Sequence, residues 1–166
     1  VPEHPPTSQQ ALTLQVPLHS KSTKSPASPA AQDGGGGAAK KKRQRCVPVH
    51  VRELGGSCSA SWATQYAAVD VVMFVIDSAN PFKVSSASCM LTDCLNHADL
   101  TNKNFLVVFT KSDVSGCMSN MMFYDDVLKM FTNQQRTVTT VVASGINGDG
   151  LKAVLKWMQT QCTSAK

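Results

Sequence analysis

The sequence predicts an α/β domain built on a mostly parallel β-sheet with helices on both faces. Three observations carry that expectation. Val69–Ile76 and Phe105–Phe109 are nearly unbroken apolar runs of strand length, the pattern of strands buried on both faces. Segments with apolar residues three and four apart alternate with such runs. Polar turns follow the strands, at the end where open α/β sheets bind ligands.

The elements follow in order. Residues 1–10 are polar and Pro-rich, and Ala11–Val16 alternates apolar and polar groups as a half-buried strand does, so residues 1–18 form a leading segment with one strand. Residues 19–45 hold Ser, Lys, Pro, four consecutive glycines and a basic cluster. They offer too little apolar surface to offset their ordering entropy and are expected to be disordered. Residues 46–166 are the expected folded domain. Val47, Val49 and Val51 alternate with Pro48, His50 and Arg52, a strand whose proline favours an edge or the strand start. Glu53-Leu54-Gly55-Gly56 ends it, the paired glycines permitting close backbone approach or an unusual turn. Asp77-Ser78-Ala79-Asn80-Pro81 closes the Val69–Ile76 strand, with Asp77 expected to cap a turn. Val84, Ala87, Leu91 and Leu95 share a helical face, and Met121–Phe131 reads as a second helix with Phe123, Val127, Met130 and Phe131 inward. Thr137–Val142 is β-branched and strand-like. The turn Asn147-Gly148-Asp149-Gly150 leads to a last helix with Leu151, Val154, Leu155 and Met158 inward.

Composition narrows the function classes. The 166 residues are 42% hydrophobic, enough for one domain with a core. The net charge of +5 resides in residues 1–45, where seven basic groups face only Glu3 and Asp33. The rest carries nine basic and nine acidic residues, so the folded body is neutral and nucleic acid is not an expected partner. Lys40–Arg45 reads as a solvated loop, with a contact to anionic lipid or RNA, or a nuclear signal, as the alternatives. The six cysteines form no C-x-x-C pair, which argues against zinc or redox motifs; most are expected to be small core residues. No segment is long and apolar enough to span a membrane, and no signal peptide is visible.

Thr110-Lys111-Ser112-Asp113 follows the Phe105–Phe109 strand directly. An Asp there can accept two hydrogen bonds from a ring with adjacent N–H donors, which guanine has and adenine lacks. Lys111 can lay its methylene stem over a ring while its ammonium stays wet. An exposed turn would have the same composition, and that alternative stays open on these residues alone.

Arg52-Glu53-Leu54-Gly55-Gly56, Thr110-Lys111-Ser112-Asp113 and Ala143-Ser144-Gly145 come in this order, each just after a strand. With Phe74-Val75-Ile76-Asp77-Ser78 and Gly148-Asp149-Gly150-Leu151, the constellation resembles the small GTPases of the Ras superfamily, in their Arf-like branch, over most of Val47–Cys162. The resemblance implies a Ras-like, P-loop NTPase-type three-layer sandwich that binds GTP and GDP with Mg²⁺. It implies that Asp113 reads the guanine edge, Lys111 covers the base, and Ser144 and the Gly145 N–H support it. It implies that Thr110 belongs to the base-binding loop, that the Gly56 N–H senses the γ-phosphate, and that Glu53 reaches Mg²⁺ through water. Pro6-Thr7 then matches switch I, with Thr7 on Mg²⁺ and residues 19–45 an enlarged loop between strands. Effector and regulator proteins, a peripheral membrane contact, and a cytoplasmic role in membrane traffic, including traffic near the cilium base, are further implications.

Departures from the family pattern matter equally. Thr110 replaces the usual Asn, so a tether of the base-binding loop is expected to be lost or weakened. Gly145 replaces Ala, Glu53 replaces Asp, and Ser57 stands where many relatives carry the Gln that orients the attacking water. Hydrolysis is therefore expected to be poor. No G-x-x-x-x-G-K-[ST] occurs anywhere, and Gly34–Gly37 is no substitute because no strand precedes it. The fold is thus expected without its first strand, phosphate loop and first helix, leaving Val47–Val51 and Val69–Ile76 without a shared neighbour and two apolar edges in water. A start at Val1 favours a sequence that omits that unit over a degenerate, poorly folding chain. A non-catalytic adaptor binding proteins through the same surface is the alternative function.

Overall fold

The computed structural model describes residues 10–17, 46–117 and 138–164. Thr7, the basic cluster Lys40–Arg45, the stretch 19–45 and the expected helix Met121–Phe131 lie outside the described residues. β1 (Gln10–Pro17) pairs antiparallel with β2 (Cys46–Glu53), Leu14 opposite Val49 and Leu12 opposite Val51. β3 (Val71–Asp77), β4 (Asn104–Thr110) and β5 (Val138–Val142) form a separate, wholly parallel sheet in the order β3-β4-β5.

β4 lies at the centre, and all of Phe105–Phe109 is buried. Its apolar run has the cause expected of it: strands on both sides and helices on both faces. Phe105, Val107 and Phe109 point to one face. There they join Phe74 and Ile76 of β3 and Leu91, Cys94 and Leu95 of α2 (Val84–Asn96), with a four-residue α1 (Ala63–Tyr66) adding Tyr66. Leu106 and Val108 point to the other face and meet Val154, Trp157 and Met158 of α3 (Leu151–Ser164). Each large side chain so covered contributes about 1.5–3 kcal/mol. The result is helix, sheet, helix, with the carboxyl ends of β3 and β4 level, Asp77 opposite Thr110.

β2 and β3 belong to different sheets, and among the described residues no strand pairs with the outer edge of either. On the sheet face that carries Leu106 and Val108, Met73 and Val75 of β3 remain 39% and 58% exposed. Val16 of β1 is buried, and Gln159 of α3 donates to the Pro17 carbonyl at 2.6 Å, tying this end of β1 to the last helix.

Two expectations need correction. Leu151 and Leu155 do not face inward: they are 47% and 39% exposed. The bulky indole of Trp157 takes the contact with Leu106 and Val108, which turns the apolar stripe toward Val154, Trp157 and Met158. Of the cysteines, only Cys94 and Cys117 are buried; Cys46 and Cys89 are exposed, and Cys58 and Cys162 are half-buried. Cys89 lies two residues from Leu91, on the opposite side of α2 from the core.

Cys94 Sγ lies 3.1 Å from the Tyr66 hydroxyl. Burial pushes the Cys94 thiol up, and burial followed by its bond to Cys94 pushes the Tyr66 hydroxyl up. Both groups are neutral when protonated, so they add stability in full below their ordinary ranges and lose it as pH rises through the raised values. Iodoacetamide at neutral pH is therefore expected to alkylate Cys89 well before Cys94, read by peptide mass mapping. Equal rates would contradict this packing.

Candidate functional site

The loops after β3, β4 and β5 meet at one end of the parallel sheet. Thr110 ends β4, and its carbonyl accepts from the Ser78 N–H at 3.3 Å and from Ser78 Oγ. Its hydroxyl donates to the Ile76 carbonyl at 3.0 Å. Whatever tether the usual Asn makes, the short Thr110 hydroxyl reaches the neighbouring strand and joins the ends of β3 and β4.

Lys111 follows in the left-handed region at φ 61°, uncommon for a residue with a side chain. Its ammonium donates to Asp77 Oδ2 at 2.7 Å. The Ser112 N–H donates to the Ala143 carbonyl at 3.2 Å, and the Ala143 N–H to the Phe109 carbonyl at 2.8 Å, so the β4 loop is fastened to the end of β5.

Ser144 is the hub of the next loop and is fully buried. Its N–H donates to the Asp149 carbonyl at 3.0 Å and its carbonyl accepts from the Gly148 N–H at 3.1 Å. Its hydroxyl oxygen accepts from the N–H groups of Ile146 at 3.1 Å and Asn147 at 3.4 Å. The single hydroxyl proton goes to Asp113 Oδ1 at 2.5 Å. Asp113 is exposed, and its second oxygen has no partner among the described residues. Gly145 is exposed, with open space within 4 Å of where a Cβ would stand. A carboxylate oxygen without a partner among the described residues, an open backbone position and a lysine stem suit a flat ring that presents N–H donors at its edge.

Thr110, Lys111, Asp113, Ser144 and Gly145 thus gather at one sheet end. Glu53 and Gly56 stand elsewhere: Glu53 ends β2 in the two-stranded sheet, and Gly56 opens a short 3₁₀ segment, Gly56–Ser61, both exposed. The glycine pair makes no left-handed turn. Gly55 is extended at φ −65°, ψ 145°, and its carbonyl accepts from the Trp62 indole N–H at 3.1 Å. Among the described residues no three His, Cys, Asp or Glu side chains cluster to hold a metal ion.

Asp77 is the residue that motif reading missed. It caps its own turn as expected, Oδ1 accepting from the Ala79 N–H at 3.0 Å, but it also holds Lys111. The available signal was positional: an acidic residue and a lysine at the ends of adjacent parallel strands.

A parallel sheet between helices, with its polar loops gathered at the carboxyl end, is shared by many α/β proteins, and here it matches the Ras-like small-GTPase fold. The Arl6 BBS3 small GTPase of Trypanosoma brucei, solved with the nucleotide analogue GppNp, shares it at a TM-score of 0.60 and 20% identity, over 72% of this chain and 74% of that one. This chain belongs to the ADP-ribosylation factor family, whose sequence model matches residues 36–162. It is 28% identical over 116 residues to human ADP-ribosylation factor-like protein 16, a match covering 67% of this chain and 57% of that protein. It is 28% identical over 118 residues to Caenorhabditis elegans ADP-ribosylation factor-like protein 1, covering 70% and 65%. It is 29% identical over 111 residues to bovine ADP-ribosylation factor-like protein 5A, covering 66% and 62%. The chain therefore spans less than two thirds of each of these relatives. β1 and the Pro6-Thr7 dipeptide precede the matched region.

Proposed function

We propose that this chain carries the base-reading part of a guanine-nucleotide switch. The supporting observation is the Ser144–Asp113 hydrogen bond, which engages one carboxylate oxygen and leaves the other without a partner among the described residues. Asp113 takes the N–H donors of guanine, Lys111 covers the ring, and the Gly145 N–H meets its oxygen. In the bound state Gly56 senses the terminal phosphate, and Thr7 and Glu53 serve Mg²⁺, the charge that neutralises phosphate. Binding of GTP in place of GDP orders the segments around Thr7 and Glu53–Tyr66, creating a surface for effector and regulator proteins. Family membership supports a setting in membrane traffic, with peripheral membrane contact and a place near the cilium. Hydrolysis is weak, since Ser57 offers no amide to orient water.

Whatever the phosphates add to affinity, the base contacts are the source of selectivity. Calorimetric titration is expected to show GTP binding at least about tenfold tighter than ATP, since unpaired polar groups penalise the wrong base. Equal affinities would overturn base reading.

A second reading has its own support. Ser59, Ala60, Trp62, Tyr66, Met90, Asp93 and Cys94 line a shallow cleft of about 260 Å³ between the segment after β2 and α2. A non-catalytic adaptor would bind protein side chains there. A folded sample that takes no nucleotide in the same titration would leave this reading alone.

A further inference from the structure

The geometry points to Asp77 as the positioning residue for Lys111, an assignment that rests on the guanine reading proposed above. The Asp77 carboxylate divides its work: Oδ1 accepts from the Ala79 N–H at 3.0 Å, which fixes the plane of the group, and Oδ2 faces the Lys111 ammonium at 2.7 Å. Asp77 is the register partner of Thr110, so its charge stands one strand over from the residue preceding Lys111. The left-handed backbone of Lys111 and the Asp77 anchor together hold both ends of the lysine stem. The stem then spans from the end of β4 to the end of β3 as a ready apolar bar, with its ammonium already paired.

Holding the stem reduces the cost of binding. A free lysine loses much rotamer freedom when it settles on a ring, and a pre-ordered one loses less. The pair is partly exposed, with side chains 56% and 37% accessible for Lys111 and Asp77, so the gain is modest. Asp77 touches no base in this arrangement and acts through Lys111 alone. Among the described residues, Asp77 is the acidic group paired with Lys111, and the other ion pair, His97 with Asp99, involves neither.

Asp77→Asn separates the two jobs of the carboxylate. Its amide oxygen still accepts from the Ala79 N–H, so the turn persists, while the negative charge facing Lys111 disappears. GTP affinity is to be measured by calorimetry for the unaltered chain, Asp77→Asn, Lys111→Ala and the double variant. Asp77→Asn is expected to weaken GTP binding about three- to fivefold, with an unchanged urea midpoint. It is expected to add nothing in the Lys111→Ala background, since the effect runs through the lysine. The loss is expected to shrink as salt is raised. Unchanged affinity, or a loss that simply adds to that of Lys111→Ala, would overturn the assignment while leaving the guanine reading intact. Absence of any GTP preference in the unaltered chain would overturn both.

Discussion

Gly150→Ala is expected to destabilise the domain by about 4 kcal/mol or more, a large share of the roughly 5–15 kcal/mol that holds such domains folded. Gly150 has φ +74°, where a side chain is strained. A Cβ there would stand 2.0 Å from the Val142 carbonyl oxygen and 2.9 Å from the Ala143 Cα. Those are backbone atoms at the end of β5, and they cannot swing aside as the tip of a side chain could. Gly150 also accepts the first hydrogen bonds of α3, from the N–H groups of Ala153 at 2.9 Å and Val154 at 3.2 Å. Moving it displaces the helix that covers Leu106 and Val108, and with it the Asp149 carbonyl that holds the Ser144 N–H. Urea denaturation followed by circular dichroism measures the loss. A variant within about 1 kcal/mol of the parent would contradict the close approach at this turn.

The same turn shows why the fold was legible in the sequence. Asn147-Gly148-Asp149-Gly150 carries two glycines where the backbone needs them, at φ +84° and +74°. Phe105–Phe109 is apolar at every position because both faces and both edges of β4 are covered, so periodicity had no polar face to report. Strand-end loops were legible because topology alone places them together in a parallel sheet. What was hidden depends on contacts across sequence. Asp77 and Lys111 are 34 positions apart, and a turn-capping Asp looks the same whether or not its second oxygen is engaged. Periodicity weighs Leu151 and Leu155 equally with Val154, whereas the contact with Leu106 and Val108 falls to Val154, Trp157 and Met158, which only packing against the sheet reveals. The helical period of α2 does separate the cysteines, with Cys94 three residues beyond Leu91 on the core face and Cys89 two before it on the other; composition alone, which makes every cysteine a core residue, does not.

The gap between the two sheets joins fold to function. The residues proposed to read the base all stand at the end of the three-stranded sheet, whereas Glu53 ends β2 of the two-stranded one and Gly56 comes just after it. The proposed base selectivity therefore draws on contacts within one sheet, such as Ser144 with Asp113 and Lys111 with Asp77. The proposed phosphate sensing draws on the segment that follows the other sheet. The proposed separation of selectivity from affinity follows from that division, and selectivity is the property to test first.

Asp113→Asn is expected to invert the base preference: GTP binding falls about 100-fold while xanthosine triphosphate gains. The direction comes from Ser144. Its buried oxygen already accepts from the N–H groups of Ile146 and Asn147, so it has only its proton to offer position 113. An asparagine must turn its amide oxygen to that proton, and its NH₂ then takes the outward place of the carboxylate oxygen. Guanine presents N–H donors to that place, and donor meets donor. Xanthine carries a carbonyl where guanine carries its amino group, and donor meets acceptor. An unlocked asparagine could flip and serve either base; the buried hydroxyl denies it that choice, so the swap should be close to complete rather than a loss of selectivity. Competition between the two triphosphates for a fluorescent nucleotide reads the outcome. A variant that keeps its preference for guanine would place base reading on other residues than Asp113.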